Sequence, residues 1–111
     1  MSISIIIPVY NEIKTLDGTY DNLTKAIKIL NINNYEIIFV NDFSNDGSLD
    51  KLYELKNKDE KINIFNNDVN LGLGKSIQKG ISLSQKEYIW WMPSDDNLEY
   101  TEIVKMLDNF N

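Results

Sequence analysis

Four short apolar runs alternate with helical patterns, and this alternation limits the fold more than any single motif does. The runs are Ile3–Val9, Tyr35–Val40, Ile62–Phe65 and Tyr88–Met92. They are rich in β-branched and aromatic residues and have strand length. The first two read as buried strands, and the fourth as a strand buried on both faces. Between them the apolar residues recur at spacings of three and four, as on one face of a helix. Leu16, Tyr20, Leu23, Ile27 and Leu30 mark a helix from about Thr15 to Leu30, stopped by the Asn31–Asn34 cluster. Leu49, Leu52, Tyr53 and Leu55 mark a second over Ser48–Lys56, and the Lys56–Lys61 charge run after it reads as a solvated connector. A third, Leu71–Leu83, is opened by glycines and is expected to carry Ile77, Ile81 and Leu83 inward; Ile103, Val104 and Leu107 suggest a last one. Strands alternating with helices predict an α/β fold: an open, mainly parallel sheet with helices on both faces and right-handed crossovers. The expected strand order is 3-2-1-4, because it brings Asp42 and Asp95 to one crevice.

Composition narrows the function classes. A chain of 111 residues is expected to be one small domain, residues 1–111, or part of a larger one, with room for a core but little for a second unit. It has no cysteine and no histidine, so thiolate and imidazole chemistry are absent from it. All 11 basic residues are lysine, which leaves no planar fork for phosphate. The net charge of −6 argues against a nucleic-acid partner. The opening residues lack the basic start of a signal peptide. No apolar run approaches the ~18 residues of a membrane span.

The polar clusters follow the carboxyl ends of the strands: Asn11/Glu12, Asp42, Asn67/Asp68/Asn70 and Asp95/Asp96. Ligands bind at that edge of an open α/β sheet. Asn31–Asn34 is a partial exception on the other edge. Pro93 ends the fourth strand, since it cannot donate to a ladder, and Ser94, Asp95, Asp96 and Asn97 follow. Such oxygen donors suit a hard cation, Mg²⁺ or Mn²⁺; the competing reading is a polar turn with a helix N-cap. The stretch Asn70–Ser76 is compatible with phosphate, because glycines allow close approach and a helix N-terminus offers free N–H groups. It matches neither the P-loop nor G-x-G-x-x-G spacing, so Gly72 and Gly74 could equally serve a tight turn, and Lys75 could simply face solvent. Asp42 could accept hydrogen bonds from a nucleobase or ribose, or cap the turn that opens the second helix. Glu12 could do similar work or start the first helix. Asp46 suits an Asx turn or N-cap. Trp90 and Trp91 are expected in the core.

These residues carry a resemblance. Ile7–Glu12 resembles the opening strand and loop of family-2 inverting glycosyltransferases of the GT-A type. Val40–Ser48 is similar to the family's D-x-S-x-D-G-[ST] segment. Asn70-x-Gly72-x-x-x-Ser76-x-x-x-Gly80 resembles its N-x-G-x-x-x-A-x-N-x-G helix start, with Ser76 for alanine and Gln78 for asparagine. Ser94-Asp95-Asp96 falls where the family has its D-x-D-type metal motif, with Pro93 in place of the first aspartate.

The resemblance implies a donor-nucleotide half. A nucleoside-diphosphate sugar, with UDP or GDP as carrier, would be held by Pro8, Val9, Tyr10, Glu12, Asp42, Gly72, Lys75, Ser94 and Asp95. Mg²⁺ or Mn²⁺ would sit on Asp95 and Asp96, with Asp95 the leading ligand. It also implies an acceptor that is a glycan or a lipid-linked carrier, a role in cell-envelope polysaccharide, a cytoplasmic location that includes the cytoplasmic face of a membrane, and homodimerisation as an option. The family's acceptor half and catalytic base come later in the chain than the metal loop, so residues 1–111 alone are expected to transfer no sugar. Two other readings stand beside it. A nucleotidyltransferase-like domain would also bind nucleotides at strand ends, but Pro8–Glu12 lacks its glycine-rich, basic loop. A non-catalytic α/β interaction module is favoured by Pro93.

Overall fold

In the computed structural model, which describes residues 1–95 and 97–110, the chain alternates strictly between strand and helix. The elements are β1 (Ser2–Val9), α1 (Leu16–Ile29), β2 (Asn34–Asn41), α2 (Ser48–Lys58), β3 (Ile62–Asn66), α3 (Leu73–Leu83), β4 (Tyr88–Trp91) and α4 (Tyr100–Asp108). All pairings are parallel, in the order β3-β2-β1-β4. The register places Ile5 beside Ile37 and Trp90, and Asn41 beside Val9 and Asn66. This is the expected open α/β sheet, with its switch point between β1 and β4.

The strand period of two divides β1 and β2 between two layers. Ile3, Ile5, Ile7, Val9, Ile37 and Phe39 face a core completed by Leu16, Leu23, Ala26 and Ile27 of α1, Leu52 and Leu55 of α2, and Ile103 and Leu107 of α4. Ile6, Ile38 and Val40 face the other way, toward α3, with Phe65 packed beside them. That second layer also buries a carboxylate. Glu36 accepts hydrogen bonds from Ser4 Oγ at 2.6 Å and from the Gln85 N–H at 2.8 Å, which ties the α3–β4 connection to the sheet.

Two expectations need correction. β4 is not buried on both faces: Tyr88, Ile89 and Trp91 are about two-fifths exposed, and only Trp90 packs against the main core. The physical reason is position, because β4 pairs with β1 alone and forms an edge of the described sheet. Nor does α3 bury all three of its large apolar residues, of which only Ile77 is half-buried. Ile81 and Leu83 are exposed, and the residues it buries are Ser76 and Gly80. A Cβ added at Gly80 would lie 2.4 Å from Ile6 Cγ2, so α3 sits on β1 through its smallest side chains and the large ones are displaced to its flanks. No described helix is long and apolar enough to cross a membrane.

Candidate functional site

The carboxyl edge of the sheet is shaped first by hydrogen bonds between loops. The segment after β2 supplies side chains that hold the backbone after β1. Ser44 Oγ accepts from the Asn11 N–H (2.9 Å), Ser48 Oγ from Glu12 (3.0 Å) and Asp46 Oδ2 from Ile13 (3.1 Å). Asn11 returns a bond, its Oδ1 accepting from the Asn45 N–H at 2.8 Å. Asp46 also forms the expected Asx turn, Oδ1 accepting from the Ser48 N–H (2.9 Å) and hydroxyl (2.6 Å). Burial pushes its carboxyl up, but the Ser48 hydroxyl and the Ile13 and Ser48 amides outweigh this and hold it below the ordinary aspartate value. Asn11 and Phe43 adopt left-handed φ values of 54° and 60° within this pair of loops.

Asp42 organises the opposite wall. It is buried, and its carboxylate accepts from the Leu71 N–H at 2.7 Å and Asn67 Nδ2 at 3.0 Å on Oδ1, and from the Gly72 N–H at 2.9 Å on Oδ2. Asn67 Nδ2 also donates to the buried Ser76 Oγ at 3.1 Å. Asp42 therefore caps the turn before α3, rather than the one that opens α2. The turn needs glycine at 72, where φ is +91°. Burial raises the Asp42 carboxyl, but the donors from Leu71, Asn67 and Gly72 more than offset it and keep its pKa low. The group is an ionised acceptor at neutral pH, and Oδ2 retains acceptor capacity.

Between these walls lies a cleft of about 280 Å³. Pro8, Val9, Tyr10 and Glu12 line it from β1, Asp42 from β2, and Ser94 and Asp95 from the loop after β4. Gly72 lines it from the start of α3, together with Asn70, Leu73 and Ser76. Eight of the nine nominated nucleotide residues thus meet at one place. Lys75 does not: it lines a separate groove with Phe65 and Lys79, whose Nζ sits 4.4 Å over the Phe65 ring. One helical step rotates residue 75 about 100° from Ser76, which faces the cleft. Asn70, Leu73 and Ser76 belong to the stretch compatible with phosphate but were not singled out as individual donor contacts, and neither was Pro93; the helical spacing of Leu73 and Ser76 is the signal that could have placed them on one face.

Asp95 Oδ1 accepts from the Asn97 N–H at 3.1 Å, and Oδ2 has no hydrogen-bond partner among the described residues. Asp96, the second nominated metal ligand, lies outside the described residues. No group of three or more carboxylates gathers among those described. Asp95 is a described carboxylate at the cleft, and a cation held there would complete its coordination with oxygens of ligand and water.

The comparisons with known proteins agree with this architecture. Residues 4–111 match the family described as Glycosyl transferase family 2. The chain is 37% identical over 100 residues to a cholesterol galactosyltransferase of Borreliella burgdorferi, covering 89% of this chain and 26% of the relative. It is 38% identical over 97 residues to a poly(ribitol-phosphate) beta-glucosyltransferase of Bacillus spizizenii, covering 86% of this chain and 15% of the relative. Among solved structures, S. aureus TarS 1-349 superposes with a TM-score of 0.75 at 23% identity, over 99% of this chain and 32% of that one. The Pyrobaculum calidifontis mannosyltransferase PcManGT, solved with GDP-Man and Mn²⁺, gives 0.71 at 16% identity, over 84% and 27%. At these identities the structural likeness speaks for the fold.

Proposed function

The chain belongs to glycosyl transferase family 2, and from that premise we propose that it binds the nucleoside-diphosphate sugar in a transfer to an acceptor hydroxyl. The observation that carries this reading is the convergence of Pro8–Tyr10, Glu12, Asp42, Gly72, Ser94 and Asp95 on one cleft at the switch point of the sheet. The nucleoside lies toward Pro8, Tyr10 and Asp42, whose ionised carboxylate accepts from a base or ribose donor. The diphosphate lies between the Gly72 turn, at the N-terminus of α3, and Asp95. Asp95 is the residue that holds a divalent cation, Mg²⁺ or Mn²⁺. When bound, such an ion supplies Lewis-acid neutralisation of the departing diphosphate, which matters in a cleft that no lysine lines.

In the transfer, the acceptor oxygen forms a bond to the anomeric carbon from the face opposite the leaving group. The bond from that carbon to the diphosphate oxygen breaks, with its electron pair leaving on the nucleoside diphosphate. The acceptor proton passes to a base that we assign outside residues 1–111. The chain spans 26% and 15% of the two relatives above, and the acceptor would be bound by such additional length. The acceptor we propose is a glycan or a lipid-linked carrier; the two relatives are named for a sterol and for a polyol-phosphate polymer, which offer hydroxyls of other kinds. Support for the donor comes from neighbours solved with UDP-GlcNAc and with GDP-Man and Mn²⁺.

A thermal-shift and calorimetric screen of UDP, GDP, CDP and dTDP, with and without Mn²⁺, tests the reading. It predicts binding of UDP or GDP that tightens with Mn²⁺. Failure of all four to bind would overturn it.

A further inference from the structure

Three threonines on or beside α1 use their hydroxyls differently. A helical threonine commonly bonds back to the carbonyl three or four residues before it. Thr24 does so, donating to the Tyr20 carbonyl at 2.9 Å. Thr15 and Thr19, four residues apart and so on one side of the helix, make their shortest bonds across the fold, although Thr15 Oγ1 also lies 3.3 Å from the Glu12 carbonyl three residues before it. Their Oγ1 atoms lie 2.7 and 2.8 Å from the Ser94 carbonyl oxygen, and Thr19 Oγ1 is also 3.2 Å from that of Asp95. Thr19 and Ser94 are only 1% and 4% exposed, so water does not compete for the Thr19 bond, while Thr15 is half-buried. A carbonyl oxygen has two lone pairs, and two short hydroxyl bonds saturate this one. The sheet ladder stops short of this loop: the Met92 N–H donates to the Ile6 carbonyl at 3.0 Å, and Pro93 then has no N–H to continue the ladder. The Asx bond from Asn97 orients the Asp95 carboxylate within its own turn but does not fix that turn against the sheet. Thr15 Oγ1 is also 3.3 Å from Glu12 Oε2, on the β1 wall of the cleft.

We propose that Thr15 and Thr19 are positioning residues for Asp95. Their hydroxyls clamp the backbone of the preceding residue, so that the carboxylate is held facing the cleft, where it would share a cation with the bound ligand. The inference rests on the reading of the cleft as a cation-assisted donor site. A purely structural tie between α1 and the β4 loop would change stability but leave the effect of the cation on nucleotide affinity untouched.

The test uses the 111-residue chain as Thr15→Val/Thr19→Val, which removes both hydroxyls, and Thr15→Ser/Thr19→Ser, which keeps them. UDP and GDP affinities are measured with and without Mn²⁺, and amide exchange at Asp95 and Asn97 is measured without ligand. Each lost bond is worth a several-fold factor, so the valine variant should lose about tenfold of the Mn²⁺-dependent tightening, while metal-free affinity is kept. Its exchange at Asp95 and Asn97 should accelerate, and the serine variant should behave as the parent does. A folded valine variant with the full Mn²⁺ effect overturns the proposal, as does an equal loss in both variants. Should the double valine variant not fold, Thr15→Val alone, at the less buried position, is read in the same way. Should the parent itself show no Mn²⁺ effect, the cation-assisted part of the donor-site reading fails. The exchange data then still decide whether the hydroxyls hold the loop, and unchanged rates reject the clamp.

Discussion

Replacing Gly80 by alanine should destabilise the fold, although the same change in an open helix stabilises it. Alanine is favoured over glycine in a helix interior by about 1 kcal/mol. Against this stands the contact with β1. The new Cβ would lie 2.4, 3.0 and 3.2 Å from Ile6 Cγ2, Cγ1 and Cδ1, where ordinary contacts begin near 3.4 Å. Ile6 is fully buried in the central strand, between Ile38 and Trp91 on its two neighbours, and its branched side chain is stiff at χ1, so it gives way only at a cost. Overpacking of a core by a methyl typically costs about 1–3 kcal/mol, and an overlap this close belongs at the upper end. The net effect should be a loss of roughly 1–2 kcal/mol, as α3 is pushed off the sheet. Gly74 in the same helix provides the control. Nothing lies within 4 Å of its added Cβ, and its φ is not left-handed, so Gly74→Ala should be neutral or stabilising by up to about 1 kcal/mol. The two variants should differ by on the order of 1 M in urea midpoint. Equal midpoints, or a more stable Gly80→Ala, would refute the close packing of α3 on β1.

Three further expectations follow from the loops. Asp42→Asn sets an amide group against the Leu71 or Gly72 N–H and removes charge-assisted bonds worth about 1.5–3 kcal/mol, so urea denaturation should show a loss of that order and calorimetry weaker nucleotide binding. Asp42 and Asp46 are both held below the unfolded aspartate value of 3.8, so their stabilisation is complete above that pH and is lost as pH falls through their lower folded values. Acid titration followed by circular dichroism should show Asp42→Asn losing less stability than the parent below about pH 4. Lys75→Ala should change nucleotide affinity by no more than about twofold, because the lysine lines the groove beside Phe65 and acts on the cleft only through screened solvent; a tenfold loss by calorimetry would return it to the site.

Much of the fold was legible because its signal is periodic. β-branched runs such as Ile3–Val9 have few alternatives, and their alternation with helical spacing leaves a parallel sheet as the economical arrangement. The polar residues after each strand marked the binding edge for the same reason. The misreadings share a cause, which is that packing distance is absent from the sequence. An apolar run such as Tyr88–Met92 does not reveal whether a neighbour covers its outer face. The spacing of Ile77, Ile81 and Leu83 on α3 concealed that close approach to Ile6 requires Gly80. Asp42 offered two readings, ligand contact or a local cap, but its partners Leu71 and Gly72 lie 29 and 30 residues away. Lys75 stands beside the glycines in sequence, whereas a helix separates adjacent residues by angle. Thr19 carried a signal that went unused: it stands in the buried stripe of Leu16, Leu23, Ala26 and Ile27, where a hydroxyl must find a partner.

The central claim is that one cleft gathers nucleotide, cation and Asp95. The most direct measurement is paramagnetic broadening of backbone amides by substoichiometric Mn²⁺ in the presence of UDP or GDP. The account predicts broadening centred on Ser94 and Asp95 and extending to Tyr10, Glu12 and Gly72, with Asn31–Asn34 at the opposite edge of the sheet unaffected. Asp95→Asn should abolish the pattern. Broadening centred on another acidic surface, such as that around Asp17 and Glu54, or a pattern unchanged in Asp95→Asn, would contradict it.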